Sequence, residues 1–180
     1  MASEVLPTID LGLAGWCLRA WHEHDAPALA KHATNPNIWR WMSDGFAHPY
    51  TLEIAEHWVR QGHIDFGGDN WAIACNDEAV GGCGIHQGAP PFHCSAEVGW
   101  WLAEERWGRG IATRAARVLV ARAFDNPAIT RVIAPIHAGN ARSMGVAEKA
   151  GLTLEAVQRK SAFKAGKIID RHLYAIVRDD

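Results

Sequence analysis

The chain has 180 residues, 48% of them hydrophobic and 21% charged, with a formal net charge of −2. That length and balance describe one domain over residues 1–180, able to bury about 70% of its unfolded surface, and they argue against a nucleic-acid-binding face. No apolar run has the length of a membrane helix, Met1–Ala14 lacks the basic start and apolar core of a signal peptide, and Cys17, Cys75, Cys83 and Cys94 form no Cys-x-x-Cys pair, so free thiols in a cytoplasmic protein are expected.

Taken in order, Met1–Ala14 reads as a loose lead-in and Trp16–Trp21 alternates as a first strand. Asp25 is placed to cap a helix running to about Ala33, and Asn35–Met42 reads as a second short helix. Ser43–Tyr50, with Gly45 and Pro49, is a loop. Thr51 then caps a helix with Leu52, Ala55, Trp58 and Val59 on one face. Asn70–Cys75 and Ala79–His86 form a hairpin across Asn76-Asp77-Glu78, and Gln87–Ser95 leads into a strand at Ala96–Leu102. Ile111–Ala123 is apolar at helical spacing, Arg131–Ile136 is a strand, and Asn140–Ala150 is a helix stopped by Gly151. Val157–Phe163 and Ile168–Val177 close the chain as a hairpin over Ala165-Gly166. The order is mixed α/β around one sheet.

The segment from Ala96 to Ala123 is strand, glycine turn and helix in succession. The first N–H groups of a helix lack internal partners and sit at the positive end of its dipole, which suits a phosphate. Gly108 and Gly110 carry no side chains to keep an anion away, and Arg109, Arg114 and Arg117 supply charge nearby. The spacing is neither the Walker pattern, since no Gly-Lys-Ser/Thr occurs, nor the dinucleotide fingerprint, whose last glycine is replaced by Thr113. A phosphate cradle and a plain turn therefore both remain open.

The wider pattern narrows the choice. Glu97-Val-Gly-Trp-Trp-Leu, Trp107-Gly-Arg-Gly-Ile-Ala-Thr113, Asn140-Ala-Arg-Ser143 and Glu148-Lys-Ala-Gly-Leu152 follow one another in an order that resembles the GCN5-related N-acetyltransferase (GNAT) superfamily, and within it the RimJ/RimL-like branch. The likeness runs from about Trp16 to Val177. It implies the GNAT fold: one mixed, mostly antiparallel sheet splayed at its central strand, with helices on both faces. It also implies direct transfer of an acetyl group from acetyl-CoA to an amine, in a ternary complex and without a covalent enzyme intermediate. By resemblance, the pantetheine arm runs along Trp101 and Leu102. The pyrophosphate lies against Trp107, Gly108, Arg109, Gly110, Ile111, Ala112 and Thr113, and the thiol end meets Asn140 and Ser143.

Proton removal is the demanding step. A lysine-like amine costs about 4.6 kcal/mol to deprotonate at pH 7 and an α-amine about 1, whereas a thiol with pKa near 8.5 leaves with little help. Glu97, in an otherwise apolar strand where the family carries a glutamate, is the candidate base, against the plainer reading of an ion-paired carboxylate. Ser143 is the candidate donor to the leaving sulfur, against that of a helix-start serine bonded to its own backbone. The tyrosine acid that many members carry is replaced by Ala147, and Trp107 stands where many carry Gln or Arg. Gly145 sits inside a helix, where glycine costs about 1 kcal/mol against alanine, and reads as a site of close approach or as merely tolerated. The tight Gly81-Gly82-Cys83-Gly84 run reads as a strand closely approached by another backbone. Cys83 and His86, an odd spacing apart, should face opposite ways, so no metal site is expected despite His93-Cys94.

By resemblance, the acceptors span protein N-termini and small amines, with the branch leaning toward an N-terminal amine. Nine tryptophans suggest that several line a groove or a homodimer interface. Trp39, Trp41 and Trp58 read most simply as core, with the acceptor groove as the other option; His48, Asp170, His172 and Tyr174 are looser candidates. The rival function is a non-catalytic acyl-CoA-binding or sensing module.

Overall fold

The computed structural model describes residues 6–178. Eight strands, β1 (Ile9–Leu13), β2 (Trp16–Arg19), β3 (Asp69–Cys75), β4 (Glu78–Gln87), β5 (Ser95–Leu102), β6 (Arg131–His137), β7 (Thr153–Lys164) and β8 (Lys167–Val177), form one sheet in the order β1-β2-β3-β4-β5-β6-β8-β7. Every neighbouring pair is antiparallel except β5 and β6, which run parallel. The helices are α1 (Ala26–Ala33), α2 (Pro36–Trp39), α3 (Leu52–His57), α4 (His63–Asp65), α5 (Ile111–Asp125) and α6 (Ala141–Lys149).

The period-2 alternation of the strands sorts their side chains into two cores. On one face Trp71, Ile73, Val80, Val98 and Leu102 pack against Ile111, Ala115 and Leu119 of α5. On the other, Ala72 and Ala79 pack against Ala26, Leu29 and Ala33 of α1 and Ala55 of α3. Burying a leucine-sized side chain contributes about 1.5–3 kcal/mol, so the continuous apolar stripe of α5 holds the central strands in place. The glycine run on β4 answers the expected close approach. A Cβ on Gly81 would lie 2.5 Å from the Trp101 carbonyl oxygen, and one on Gly82 would lie 2.7 Å from the Trp101 indole nitrogen.

Several local expectations change. The lead-in is partly a strand: β1 pairs with β2, while residues 1–5 lie outside the described part. A five-residue edge strand broken by Gly12 is too short for its alternation to stand out. Trp16–Trp21 shortens to Trp16–Arg19, and Asn35–Met42 to Pro36–Trp39, capped by the Asn35 side chain. Thr51 does cap α3, but Leu52 is 49% exposed, and the helix continues through a π-helical turn at Trp58–Gly62 into α4. The last hairpin starts early, at Thr153, because bulges at Leu154/Ala156 and Gln158/Ala162 interrupt its alternation.

Asp25 does not cap α1 with its side chain. It is 2% exposed and accepts two hydrogen bonds from the Arg19 guanidinium, at 2.7 and 2.8 Å, and one from the His22 N–H at 2.8 Å. Removing one member of such a pair strands a buried charge. Asp25→Ala is therefore expected to destabilise the fold by about 3–5 kcal/mol, read as a lower midpoint in urea unfolding.

Candidate functional site

The site begins where two strands part. β5 and β6 pair at Ser95↔Arg131, Ala96↔Val132 and Glu97↔Ile133; from Val98 onward no strand pairing joins their facing edges among the described residues. Pro135, which has no N–H to give, falls in the parted stretch, where strand edges tolerate proline. The gap opens on the α5 side into a cleft of about 600 Å³, lined by Trp100 to Leu102, Arg106 to Arg114 and Asn140 to Ser143 among others.

The turn between β5 and α5 shapes one wall. Gly108 and Gly110 have φ of 76° and 75°, a left-handed conformation that favours glycine. A Cβ at either would meet nothing within 4 Å, so both face open space. Gly110 is the N-cap of α5 and no side chain caps the helix, which leaves its first N–H groups aimed at the cleft. Trp107 acts as a strut: its indole N–H donates to the Leu102 carbonyl at 2.7 Å, and the Arg142 guanidinium lies 4.7 Å from its ring centre. The expected cations Arg109, Arg114 and Arg117 all line the cleft. Arg114 turns back to donate to the Leu11 carbonyl, and Arg117 donates twice to the Lys149 carbonyl. Bonding to neutral carbonyls leaves both charges in place; Arg109 has no bonded partner among the described residues, and Arg106, Arg142 and Lys149, which sequence reasoning missed, add charge to the same wall.

On α6, the Asn140 side-chain oxygen accepts from the Ser143 N–H at 3.3 Å and so caps the helix. The Ser143 N–H is thereby satisfied, while its hydroxyl, on the cleft wall, is free of protein partners among the described residues. Gly145 also lines the cleft, and a Cβ there would meet nothing within 4 Å, which sets aside close helix packing as its reason.

Glu97 lies on the other face of the sheet. It alternates with core-facing Ala96 and Val98, is open to solvent, and sits outside the walls of the cleft that Ser143 lines. Although water reaches it, the protein packed around its carboxyl disfavours the charge and raises its pKa, with Arg171 opposing. Its direct cross-strand neighbour is His86, whose pKa burial lowers, with Asp69 opposing. Their surroundings disfavour the charged form of both groups, and such a cross-strand pair is suited to moving protons. Sequence reasoning had weighed His86 only as a metal donor; the pairing register of β4 with β5 is what brings it here. Cys83 is buried in the α5-side core while His86 meets Phe66 on the other face, so the two do not converge.

Residues of α2 and just after it, Asn37, Ile38, Trp41 and Met42, line the cleft. Asn35 and Asn37 donate to Glu104 at 2.7 to 3.1 Å, anchoring α2 to the end of β5. Trp39 stacks on His48 and holds the Lys164 ammonium 4.0 Å from its ring centre; Asp44 accepts from the Ala165 N–H. Trp41 lines the cleft rather than the core, Trp58 packs on Trp21, and Tyr174 is core, donating to Glu148.

The profile of the acetyltransferase (GNAT) domain matches residues 16–153. The chain is 29% identical over 132 residues, 73% of its own length and 71% of the relative's, to the putative ribosomal N-acetyltransferase YdaF of Bacillus subtilis (strain 168). In structure it resembles RimL, a ribosomal L7/L12 alpha-N-protein acetyltransferase solved with coenzyme A (TM-score 0.79, 23% identity, 96% of this chain and 99% of that one). It also resembles the microcin C7 self-immunity acetyltransferase MccE solved with acetyl-CoA and AMP (TM-score 0.82, 21% identity, 97% and 98%). With the profile covering most of its length, this chain belongs to the GNAT acetyltransferase family, and its likeness is to the RimJ/RimL-like branch.

Proposed function

We propose that the gap between β5 and β6 is where this N-acetyltransferase brings acetyl-CoA and an amine together, and that the amine is the α-amine of a peptide or protein N-terminus. The observation that carries the proposal is the unpaired edge of β5 beyond Glu97, continuous with the cleft. As a GNAT member the chain transfers acetyl from acetyl-CoA to an amine. The donor set suits that molecule: free helix N–H groups, Arg109 and Arg142 for its phosphates, and strand edge for its amide-bearing arm. Trp101, Leu102, Trp107, Gly108, Arg109, Gly110, Ile111, Ala112, Thr113, Asn140 and Ser143 are the proposed carrier-binding residues, all of them on the cleft wall.

In this reading the amine arrives from the α1 side and the carrier from the α5 side. Glu97 takes the amine proton, directly or through a water, and the Ser143 hydroxyl donates to the departing sulfur. An exposed carboxylate is a modest base, and it matches an α-amine, which costs about 1 kcal/mol to deprotonate at pH 7, better than a lysine-like amine at about 4.6. The ribosomal-protein acetyltransferase names of relatives support the same choice. The free cysteines support a cytoplasmic setting. Exposed Leu154, Val157, Phe163 and Ile168 on β7 and β8, rather than tryptophans, favour a homodimer. The sensing-module alternative is not favoured for a chain in an acetyltransferase family.

The primary experiment is release of CoA from acetyl-CoA in the presence of an amine panel; the reading requires amine-dependent release. Glu97→Gln is expected to lower turnover about 10²-fold at pH 7. The deficit should shrink at pH 9, where an α-amine is already neutral. Equal losses at both pH values would remove Glu97 as base. Ser143→Ala should cost less, about tenfold or under. Gly110→Ala forces a side chain into a left-handed conformation on the cleft wall, and should weaken acetyl-CoA binding about tenfold by calorimetry.

A further inference from the structure

Most glycines at the centre of the sheet are explained by what surrounds them. A Cβ on Gly81, Gly82 or Gly84 would fall 2.5 to 2.7 Å from Trp101 or Asn70 atoms, so the fold itself demands their bare backbones. Gly99, paired with Gly84, is different. Its φ is not positive, and a Cβ added there would meet nothing within 4 Å. Neither backbone conformation nor packing calls for glycine, which weakens a strand interior through backbone entropy and the lack of a side chain to pack. The position is also exposed, in the middle of an otherwise well-packed sheet.

What surrounds the empty space identifies its use. Along β5, Gly99 shares its face with Glu97 on one side and Trp101 on the other. On the β4 side Gly84 is covered by the Asn70 side chain, whose amide is tied to the His63 and Gly67 carbonyls. On the β6 side the sheet has already parted. The space above Gly99 is therefore an unfilled slot, flanked along β5 by Glu97 and Trp101 and open to solvent, beside the carboxylate proposed as base.

Resting on the function proposed above, we infer that Gly99 is a specificity-determining residue: its missing side chain is the room taken by substituents on the carbon that bears the attacking amine. The acceptor class it admits is an amine branched at that carbon. A side chain at position 99 would push the branch, and with it the nitrogen, away from Glu97, while an unbranched amine could still slide past.

The test uses three acceptors with the full chain: an alanine-initiated hexapeptide, the same peptide initiated by glycine, and spermidine. Gly99→Ala should lower kcat/KM on the alanine peptide about tenfold, and Gly99→Val about 10²-fold or more, with at most a threefold change on the glycine peptide. Calorimetric affinity for acetyl-CoA should stay within threefold, and the melting temperature should hold or rise by roughly 1–4 °C, because the backbone conformation suits any residue. The inference is overturned if Gly99→Val acetylates the alanine peptide as well as the parent does, or if both peptides suffer equally. It is also overturned if acetyl-CoA affinity falls in step with activity, which would assign the slot to the carrier, or if the unaltered chain acetylates only spermidine. Binding of acetyl-CoA by the unaltered chain with no release on any amine would instead defeat the proposed function, and this inference with it.

Discussion

The constraint on which the rest of the molecule depends is the demand that backbone N–H and C=O groups find partners. A parallel pair such as β5 and β6 would ordinarily satisfy it along its whole length, but here the pairing stops after Glu97 and Ile133. Each buried group left without a partner costs about 1–3 kcal/mol, so such a gap persists only if water or a substrate answers it. The surroundings keep it from closing. The α5 stripe holds β5 against β4 from one side, the Trp107 indole grips the Leu102 carbonyl at the strand's end, and Glu104 ties α2 across its outlet. An edge that cannot rejoin its neighbour is a rigid set of donors and acceptors, made without spending any side chain on it.

Because strand side chains alternate, the same eight residues of β5 serve two faces. Val98 and Leu102 belong to the core that carries α5; Glu97, Gly99 and Trp101 belong to the face that meets α1 and α3. The candidate base and the candidate sulfur donor therefore stand on different sides of the sheet, and the opening beside Val98 to Leu102 lies between them. This separation suits a direct transfer between two molecules that enter from opposite directions. The carrier side is cationic: Arg106, Arg109, Arg114, Arg117, Arg142 and Lys149 line the cleft beside the first N–H groups of α5.

Local chemistry in the sequence was sufficient for every element whose cause is local. The Gly108–Gly110 turn, the Asn140 and Thr51 caps, the turn at Ala165-Gly166 and the opposed faces of Cys83 and His86 follow from conformational preference and periodicity within a few residues. The four ordered motifs brought the family into view as well, and the profile match over residues 16–153 agrees. By contrast, β1 was invisible because a short edge strand is defined by its partner. Asp25 was misread as a cap because its real partner, Arg19, is reached only when β2 and the following turn fold together.

The residue order alone thus determined the mixed α/β succession, the glycine-opened helix start and the identity of the acetyltransferase motifs. Tertiary structure alone decided which arginines are tied to backbone carbonyls, that His86 stands beside Glu97, that Trp41 lines a cleft rather than a core, and that Gly99 faces empty space. Each of the latter depends on pairing register or on contacts between segments tens of residues apart. Such contacts arise only once the chain has closed the intervening loops, and no local periodicity encodes them.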